Sequence, residues 1–239
     1  MLDKDDTFLF ATGNPGKRRE FESLLGDFLN PNWRVFDLES WHDQLPEIEE
    51  DKETFWENAL KKAYESSQIT HSVALSDDSG LEVDALDGRP GVYSARYAGP
   101  DATDADNNRK LIAELDGVPF EERTARYVCV AALAMPNNKT GRALVSRTGV
   151  PFEEIGESKV DKEAMLSRID DRVVIWFRGT VEGRIIDEPR GTGGFGYDPH
   201  FYVPQWDKTM AEVSLDKKNS ISHRAEALRK MAQFFAGNP

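Results

Sequence analysis

The sequence predicts an α/β protein built around a mixed central β-sheet flanked by helices. Helix-like and strand-like patterns alternate in the first half of the chain, and strand-like segments cluster in the second half. A chain of 239 residues is long enough to bury a full core, as one large domain or as two lobes of a single fold.

The first half alternates apolar runs of strand length with segments whose apolar residues recur at helical spacing. One of these runs, LEVDAL, has the period of two that is typical of a half-buried strand. The predicted strands are 7–11, 33–38, 72–80 and 81–86, and the predicted helices are 21–28, 53–70 and 101–115.

The second half is predicted to be mostly extended. The segments 123–135 and 143–149 are predicted to be paired long strands, and the segments 173–186 and 200–204 are also strand-like. A charged stretch, 150–172, interrupts this hairpin and is expected to hold a short surface helix near 162–168. The final helix places its apolar side chains on one side, at Ile221, Ala225, Leu228, Ala232 and Phe235.

Composition limits the classes of function. The net charge of −13 argues against general nucleic-acid binding, because phosphate backbones require a basic surface. The single cysteine, Cys129, excludes an intramolecular disulfide and fits a reducing compartment. We find no signal-peptide pattern and no apolar run of membrane-spanning length. We therefore expect a soluble, cytoplasmic protein that binds neither nucleic acid nor membranes.

The segment TGNPGK lies between the first predicted strand and the first predicted helix. Backbone N–H groups at a helix start attract an anion, and Lys17 adds a full positive charge. Only two residues separate Gly13 from Gly16, so the segment is not a Walker A loop, whose glycines lie further apart. The residues alone leave two interpretations open, a phosphate-binding turn and an ordinary Asn-Pro-Gly turn with a capping residue.

Acidic residues lie on both sides of the second predicted helix. In LPEIEEDKETF, the residues Glu47, Asp51 and Glu53 fit a solvated loop, whereas Asp77 and Asp78 directly follow an apolar strand. Open α/β sheets bind ligands at the carboxyl ends of their strands. Mg²⁺ is commonly bound by carboxylates together with substrate phosphates. The TGNPGK turn and the acidic pair therefore indicate a metal–nucleotide site.

The loop RGTGGFGYDPHF has Gly191, Gly193 and Gly196 in the spacing of a dinucleotide-binding turn. That motif requires a strand before the glycines and a helix after them. A strand-like segment does precede the loop, but Pro199 and the strand-like HFYVP follow it, and these do not start a helix. We interpret the loop as one that lets a ligand or another backbone approach closely.

The segment KKNSISHRAEAL places Ser222, His223 and Arg224 before the final predicted helix. Their hydrogen-bond donors could face a ligand while the body of the helix packs. The alternative is an N-capping serine with solvated neighbours.

In order and spacing, TGNPGK, DDSGLEVDALDGRPGVYSARYAG, GTGGFGYDPHF and KNSISHRAEAL resemble the motifs of the inosine triphosphate pyrophosphatase family, also called XTP/dITP diphosphatases. The resemblance covers about 7–232, and the charged stretch at 150–172 looks like an insertion. It implies one elongated domain over 1–239, with two lobes flanking an active-site cleft, and a homodimer. It also implies Mg²⁺-dependent hydrolysis of ITP, dITP and XTP to the monophosphate and pyrophosphate.

The resemblance assigns roles to residues at matching motif positions. It makes Asp78 the catalytic carboxylate and a metal ligand, with Glu49 or Glu50 completing the metal site. Lys62 matches a phosphate-contacting lysine, although Lys61 adjoins it. The residues implied to hold phosphates are Thr12, Gly13, Asn14 and Lys17, with Gly16 allowing close approach. The residues implied to bind the rest of the nucleotide are Ser79, Phe195, Gly196, Tyr197, Asp198, Lys218, His223 and Arg224.

Two rival interpretations accompany this one. A related enzyme could act on pyrimidine or methylated nucleotides, but the Ser-His-Arg and Phe-Gly-Tyr-Asp segments argue against it. A non-catalytic nucleotide-binding protein is the other, and the intact Asp77-Asp78 pair and Lys17 argue against that.

Overall fold

The computed structural model describes residues 7–12, 14–25, 34–37, 46, 48–156 and 166–236. The chain divides into two compact units. The first unit holds the described parts of Met1–Asp78, Val130–Arg178 and Ala227–Pro239, and the second holds Ser79–Cys129 and Gly179–Glu226.

The strands in the described part of the chain form one mixed sheet of eight strands. They are β1 (Thr7–Phe10), β2 (Arg34–Asp37), β3 (Val73–Val83), β4 (Thr124–Pro136), β5 (Leu166–Ile169), β6 (Arg172–Ile185), β7 (Phe201–Val203) and β8 (Lys208–Thr209). Their order is β2-β1-β3-β4-β6-β7-β8, and β5 pairs with β6. β1 is parallel to β2 and β3, whereas β6 is antiparallel to β5 and β7, and β7 to β8. This confirms the predicted α/β fold with a mixed sheet.

The helices begin where the sequence offers a capping side chain. They are α1 (Pro15–Leu25), α2 (Phe55–Thr70), α3 (Asp104–Glu114), α4 (Lys139–Ser146), α5 (Leu215–Ile221) and α6 (His223–Phe235). At the start of α2, Thr54 Oγ1 accepts the Glu57 N–H at 3.3 Å, and Thr103 and Asp106 form a capping box at the start of α3. None of the helices in the described residues is long and apolar enough to cross a membrane.

Each unit has its own buried apolar residues. In the first unit Phe8, Leu9, Val73, Ala74 and Leu75 have no exposed surface, as expected for parallel strands covered on both faces. The core of the second unit includes the fully buried side chains Leu81, Val83, Leu111, Leu115 and Phe201.

Several element predictions are wrong in detail. The segment 143–149 was predicted to be a strand, but its first residues belong to helix α4, because the Asn138 side chain accepts the Gly141 N–H at 2.9 Å and caps a helix. Of the short helix predicted at 162–168, residues 166–168 belong to strand β5 and the rest lies outside the described residues.

The strands predicted at 72–80 and 81–86 form the single strand β3, followed by a 3₁₀ turn over Asp84–Leu86. The predicted final helix is divided, because Ile221 ends α5 and α6 begins at His223. Phe28, expected on the first helix, lies outside the described residues.

Candidate active site

The TGNPGK turn joins β1 to α1 as the sequence predicts. Asn14 caps the helix, because its Oδ1 accepts the Lys17 N–H at 3.1 Å, and Thr12 Oγ1 accepts the Asn14 N–H at 3.3 Å. Gly16 lies in the first turn of α1, and Gly13 lies outside the described residues. The turn therefore places Lys17 at the positive end of a helix.

Asp77 and Asp78 lie within β3 rather than at its end, which corrects the sequence-based expectation. β3 continues because Leu81 and Val83 join the core of the second unit. The two carboxylates are buried, with 1% and 3% of their surface exposed. Lys17 Nζ lies 3.0 Å from Asp77 Oδ2, so the lysine of the TGNPGK turn faces the acidic pair.

Two adjacent lysines on α2 have different partners. Lys62 Nζ donates to the Asp77 carbonyl at 2.5 Å and to the Glu50 carboxylate. Lys61 Nζ instead donates to the Glu49 carbonyl at 2.8 Å and to the Asp51 carboxylate. Lys62 and Glu50 are thus the pair that lies beside the acidic strand residues, whereas Glu49 is exposed.

Burial and the nearby lysines act in opposite directions on the carboxyl groups of this cluster. Burial raises the pKa of Asp78 to about 6, although the Lys62 and Lys17 ammonium groups act in the opposite direction. Burial also favours a higher pKa for Glu50, but attraction and a hydrogen bond from Lys62 outweigh it, so the pKa of Glu50 lies below its usual value. Asp78 is therefore the carboxylate in this cluster suited to hold or release a proton near neutral pH.

The same cluster fits a magnesium ion whose remaining ligands come from a nucleotide. Among the described residues, no group of three or more His, Cys, Asp or Glu side chains could hold a metal ion. Mg²⁺ is commonly bound through one or two carboxylates together with substrate phosphates and water. Asp78 and Glu50 supply hard oxygen donors of this kind, and Asp78 is nearly fully buried. Binding of Mg²⁺ by Asp78 and Glu50 stays a prediction.

The glycine loop does not form a dinucleotide-binding turn, because β7 rather than a helix follows it. Gly191 and Gly194 both have positive φ, 82° and 72°. A Cβ on Gly191 would overlap the Ala211 carbonyl, and a Cβ on Gly194 would overlap the Asp198 carboxylate. Gly191 thus allows the Ala211 backbone to approach closely and Gly194 allows the Asp198 side chain to do so, whereas the space beside Gly196 is open.

Asp198 is the hydrogen-bonding centre of the loop. Its Oδ2 accepts from Lys218 Nζ at 2.7 Å and from the Phe195 backbone N–H at 3.0 Å. The Lys218 Nζ lies 4.8 Å and the Arg224 Cζ 5.4 Å from the centroid of the Phe195 ring. Phe195 is half-buried, whereas Tyr197 is buried and its hydroxyl donates to a backbone carbonyl. Phe195 is therefore the aromatic ring of this loop that is available to a base.

Of the Ser-His-Arg segment, His223 and Arg224 are the first two residues of α6 rather than preceding it, and Ser222 lies between Ile221, the last residue of α5, and α6. Arg224 Nη2 donates to Ser79 Oγ at 2.8 Å. The His223 ring stacks on Tyr127, with ring centroids 5.0 Å apart and planes 14° apart. Arg224 of the second unit thus contacts both Ser79 and the Phe195 ring.

Sequence reasoning missed three buried polar residues. Asn58, on α2, has no exposed surface and donates from Nδ2 to Asp78 Oδ2 at 3.1 Å. Tyr127 is hydrogen-bonded to Asp198, and Asn219 is 7% exposed with no hydrogen-bond partner for its amide among the described residues. An asparagine among apolar residues of a helix indicates a buried polar group, and this pattern is present at Asn58. The apolar run of β4 contains no comparable pattern that indicates a role for Tyr127.

Comparison with known proteins gives a consistent result. The Ham1 family model matches residues 8–234. The chain is 45% identical to a dITP/XTP pyrophosphatase of Geobacter sulfurreducens, covering 91% of this chain and 90% of that protein. It is 43% identical to a dITP/XTP pyrophosphatase of Bacillus licheniformis, covering 94% and 95%.

Solved structures agree. The Ham1 protein of Staphylococcus aureus is similar with a TM-score of 0.71 and 34% identity, covering 97% of this chain and 98% of that one. A HAM1 protein from Coxiella burnetii has a TM-score of 0.71 and 35% identity, covering 95% and 96%.

Proposed function

This chain belongs to the Ham1 family, and we propose that it is a nucleoside triphosphate pyrophosphatase. Its substrates are the deaminated purine nucleotides dITP, XTP and ITP, and its products are the nucleoside monophosphate and pyrophosphate. Relatives that cover nearly the whole chain are named dITP/XTP pyrophosphatases. Such an activity removes non-standard purines from the nucleotide pool.

The observation that carries this proposal is the cluster in the first unit. Two lysines, Lys17 and Lys62, lie beside the buried acidic residues of β3 and beside Glu50. Cations beside carboxylates are the groups that a triphosphate and its metal require. A carboxylate buried beside two lysines, with a pKa raised by burial, is typical of a catalytic site.

The reaction follows from the residues of this cluster. The oxygen of a water attacks the α-phosphorus, the bond from that phosphorus to the bridging oxygen breaks, and pyrophosphate leaves. The Asp78 carboxylate accepts the proton that the water loses. Lys17 and Lys62 stabilise the negative charge that develops on the leaving pyrophosphate. Asp78 and Glu50 would hold magnesium, which would neutralise part of the triphosphate charge.

The second unit supplies groups for recognition of the base. The Phe195 ring offers a stacking face, the Arg224 guanidinium lies 5.4 Å from the centroid of that ring, and His223 precedes Arg224 in the sequence. Hypoxanthine and xanthine carry oxygen at C6, where adenine carries an amino group. A donor directed at C6 pairs with that oxygen and is left facing another donor when ATP binds, which is a costly mismatch.

Product analysis in ¹⁸O-labelled water tests the reaction. Wild-type protein with dITP and Mg²⁺ should form dIMP and pyrophosphate in equal amounts, with the label in dIMP alone. Asp78→Asn should form neither product while keeping its circular dichroism spectrum, and Asp101→Asn, which removes an exposed carboxylate, should match the wild type. Release of inorganic phosphate, label in pyrophosphate, or near wild-type turnover by Asp78→Asn would contradict the proposal.

Base recognition has its own test. Arg224→Ala should reduce the preference for ITP over ATP, expressed as the ratio of their kcat/KM values, by about tenfold, the size of one hydrogen bond to a charged group. An unchanged ratio would show that Arg224 does not recognise the base.

A further inference from the structure

Two side chains of α3 hold both backbone polar groups of Gly196. Asp104 Oδ2 accepts the Gly196 N–H at 2.7 Å, and Asn108 Nδ2 donates to the Gly196 carbonyl at 2.9 Å. Asp104 and Asn108 are four residues apart, so they project from the same face of the helix. We call these two residues the Gly196 clamp.

The held glycine follows an exposed, glycine-rich segment of the loop. Residues 191–194 are exposed, and Gly191, Gly194 and Gly196 all have positive φ. Such a segment loses more conformational freedom on ordering than one with side chains. Phe195 lies between this segment and Gly196, so the position of its ring depends on the hydrogen bonds made on either side of it.

Hydrogen bonds hold the backbone on both sides of Phe195, and the Phe195 carbonyl itself accepts the Asp198 N–H at 3.3 Å. On one side of the ring the Phe195 N–H donates to Asp198 Oδ2, and the Gly193 N–H donates to the Ala211 carbonyl at 3.0 Å. On the other, the Gly196 clamp holds the peptide groups that flank Gly196. The clamp thereby limits rotation of the backbone next to Phe195.

Helix α3 is itself well fixed. Its capping box closes the first turn, and the buried Asn107 accepts the Ala98 N–H at 2.8 Å and donates to the Ala95 carbonyl at 3.0 Å. A helix anchored in this way is a rigid support for Asp104 and Asn108.

We propose that Asp104 and Asn108 are positioning residues that hold Phe195 in place for the base, and so set the KM for the nucleotide. Neither residue needs to touch the substrate in this role. The inference rests on the proposed function, because it assigns Phe195 to base binding.

Steady-state kinetics with dITP provides the first test. Asp104→Ala and Asn108→Ala should each raise KM about three- to tenfold, as expected for one lost hydrogen bond, and should leave kcat within about twofold. Asp104→Asn keeps an acceptor oxygen and should restore the wild-type KM. A variant that was only destabilised would lose active protein, and therefore kcat, without a change in KM.

Arg109→Ala is the matched control. Its side chain is adjacent to Asn108 in sequence and 75% exposed, and it pairs with Asp106 rather than with the glycine loop. This variant should keep the wild-type KM. A KM raised equally in Arg109→Ala and Asn108→Ala would overturn the clamp, and so would unchanged values in both Asp104→Ala and Asn108→Ala.

Hydrogen–deuterium exchange tests the clamp without turnover. Peptides covering 191–197 should exchange faster in the Asp104→Ala, Asn108→Ala double variant than in the wild type, and at the wild-type rate in Arg109→Ala. Unchanged exchange in the double variant would overturn the inference. Wild-type protein that hydrolyses none of the nucleotides would instead contradict the proposed function, while exchange would still report on the clamp.

Discussion

The substitution Asp78→Asn should stabilise the fold while it abolishes turnover. Burial raises the pKa of this carboxyl from 3.8 to about 6, so the folded protein binds the proton more tightly than the unfolded chain does. At about 1.36 kcal/mol per pKa unit, ionisation of Asp78 costs the fold roughly 3 kcal/mol. The cost is absent below about pH 4, grows as the pH rises, and is complete above about pH 7. An asparagine amide does not ionise and avoids it.

Chemical denaturation measures this cost directly. The free energy of unfolding is determined for wild type and Asp78→Asn between about pH 4 and pH 8, in EDTA so that no divalent cation binds. The difference between them should be small at the acidic end and approach roughly 3 kcal/mol in favour of Asp78→Asn at the alkaline end. Asp101→Asn, at an exposed position, should show no such growth. A difference in unfolding free energy between wild type and Asp78→Asn that stays constant from about pH 4 to about pH 8 would refute the reasoning.

Three further substitutions have defined outcomes. Lys62→Met removes the ammonium group that donates to Glu50 and to the Asp77 carbonyl. Steady-state kinetics should show kcat lowered about 100- to 1000-fold. A decrease in kcat below about tenfold would contradict the role of Lys62 in catalysis. Gly194→Ala puts a Cβ into the Asp198 carboxylate and should lower the free energy of unfolding, measured by urea denaturation. The loss should exceed that of Gly88→Ala, because Gly88 has a similar φ but open space around it. Equal losses of unfolding free energy in the two variants would count against this packing argument. Lys218→Met leaves Asp198 buried without its cation and should cost about 3–5 kcal/mol of unfolding free energy, and a cost under about 1 kcal/mol would show that the pair contributes little.

Local patterns were enough to predict the elements that have clear boundaries. Helix α2 follows from apolar residues at helical spacing behind a capping threonine, Thr54. The TGNPGK turn follows from Asn14, whose side chain caps α1. The sequence also excludes a dinucleotide turn, because Pro199 and a strand follow the glycines.

Other elements depend on information that a short window does not contain. Leu144 and Val145 fit a buried strand as well as one face of a helix, and the cap supplied by Asn138 decides for the helix. Asp77 and Asp78 resemble the end of a strand, because two carboxylates are rarely buried inside one. They are accommodated in β3 by Lys17 and Lys62, which are distant in sequence.

The details of the candidate site were the least predictable. The resemblance assigns roles to Asp78 and Lys62, and it leaves open which of Glu49 and Glu50 accompanies them. The structure places Glu50 beside Lys62 and leaves Glu49 exposed. Asn58 and Asp78 are twenty residues apart, and their hydrogen bond exists only once α2 has packed beside β3.

Pyrophosphate release from dITP, XTP, ITP, GTP and ATP, each with Mg²⁺ and with EDTA, tests the central claim most directly. We predict release from dITP, XTP and ITP in Mg²⁺, little release from ATP, whose C6 amino group would face a donor, and none in EDTA. GTP keeps the C6 oxygen, so a donor at C6 does not exclude it. No release from any nucleotide would contradict the enzymatic function. Equal release from all five would leave the reaction standing and contradict the assignment of the base-recognition residues.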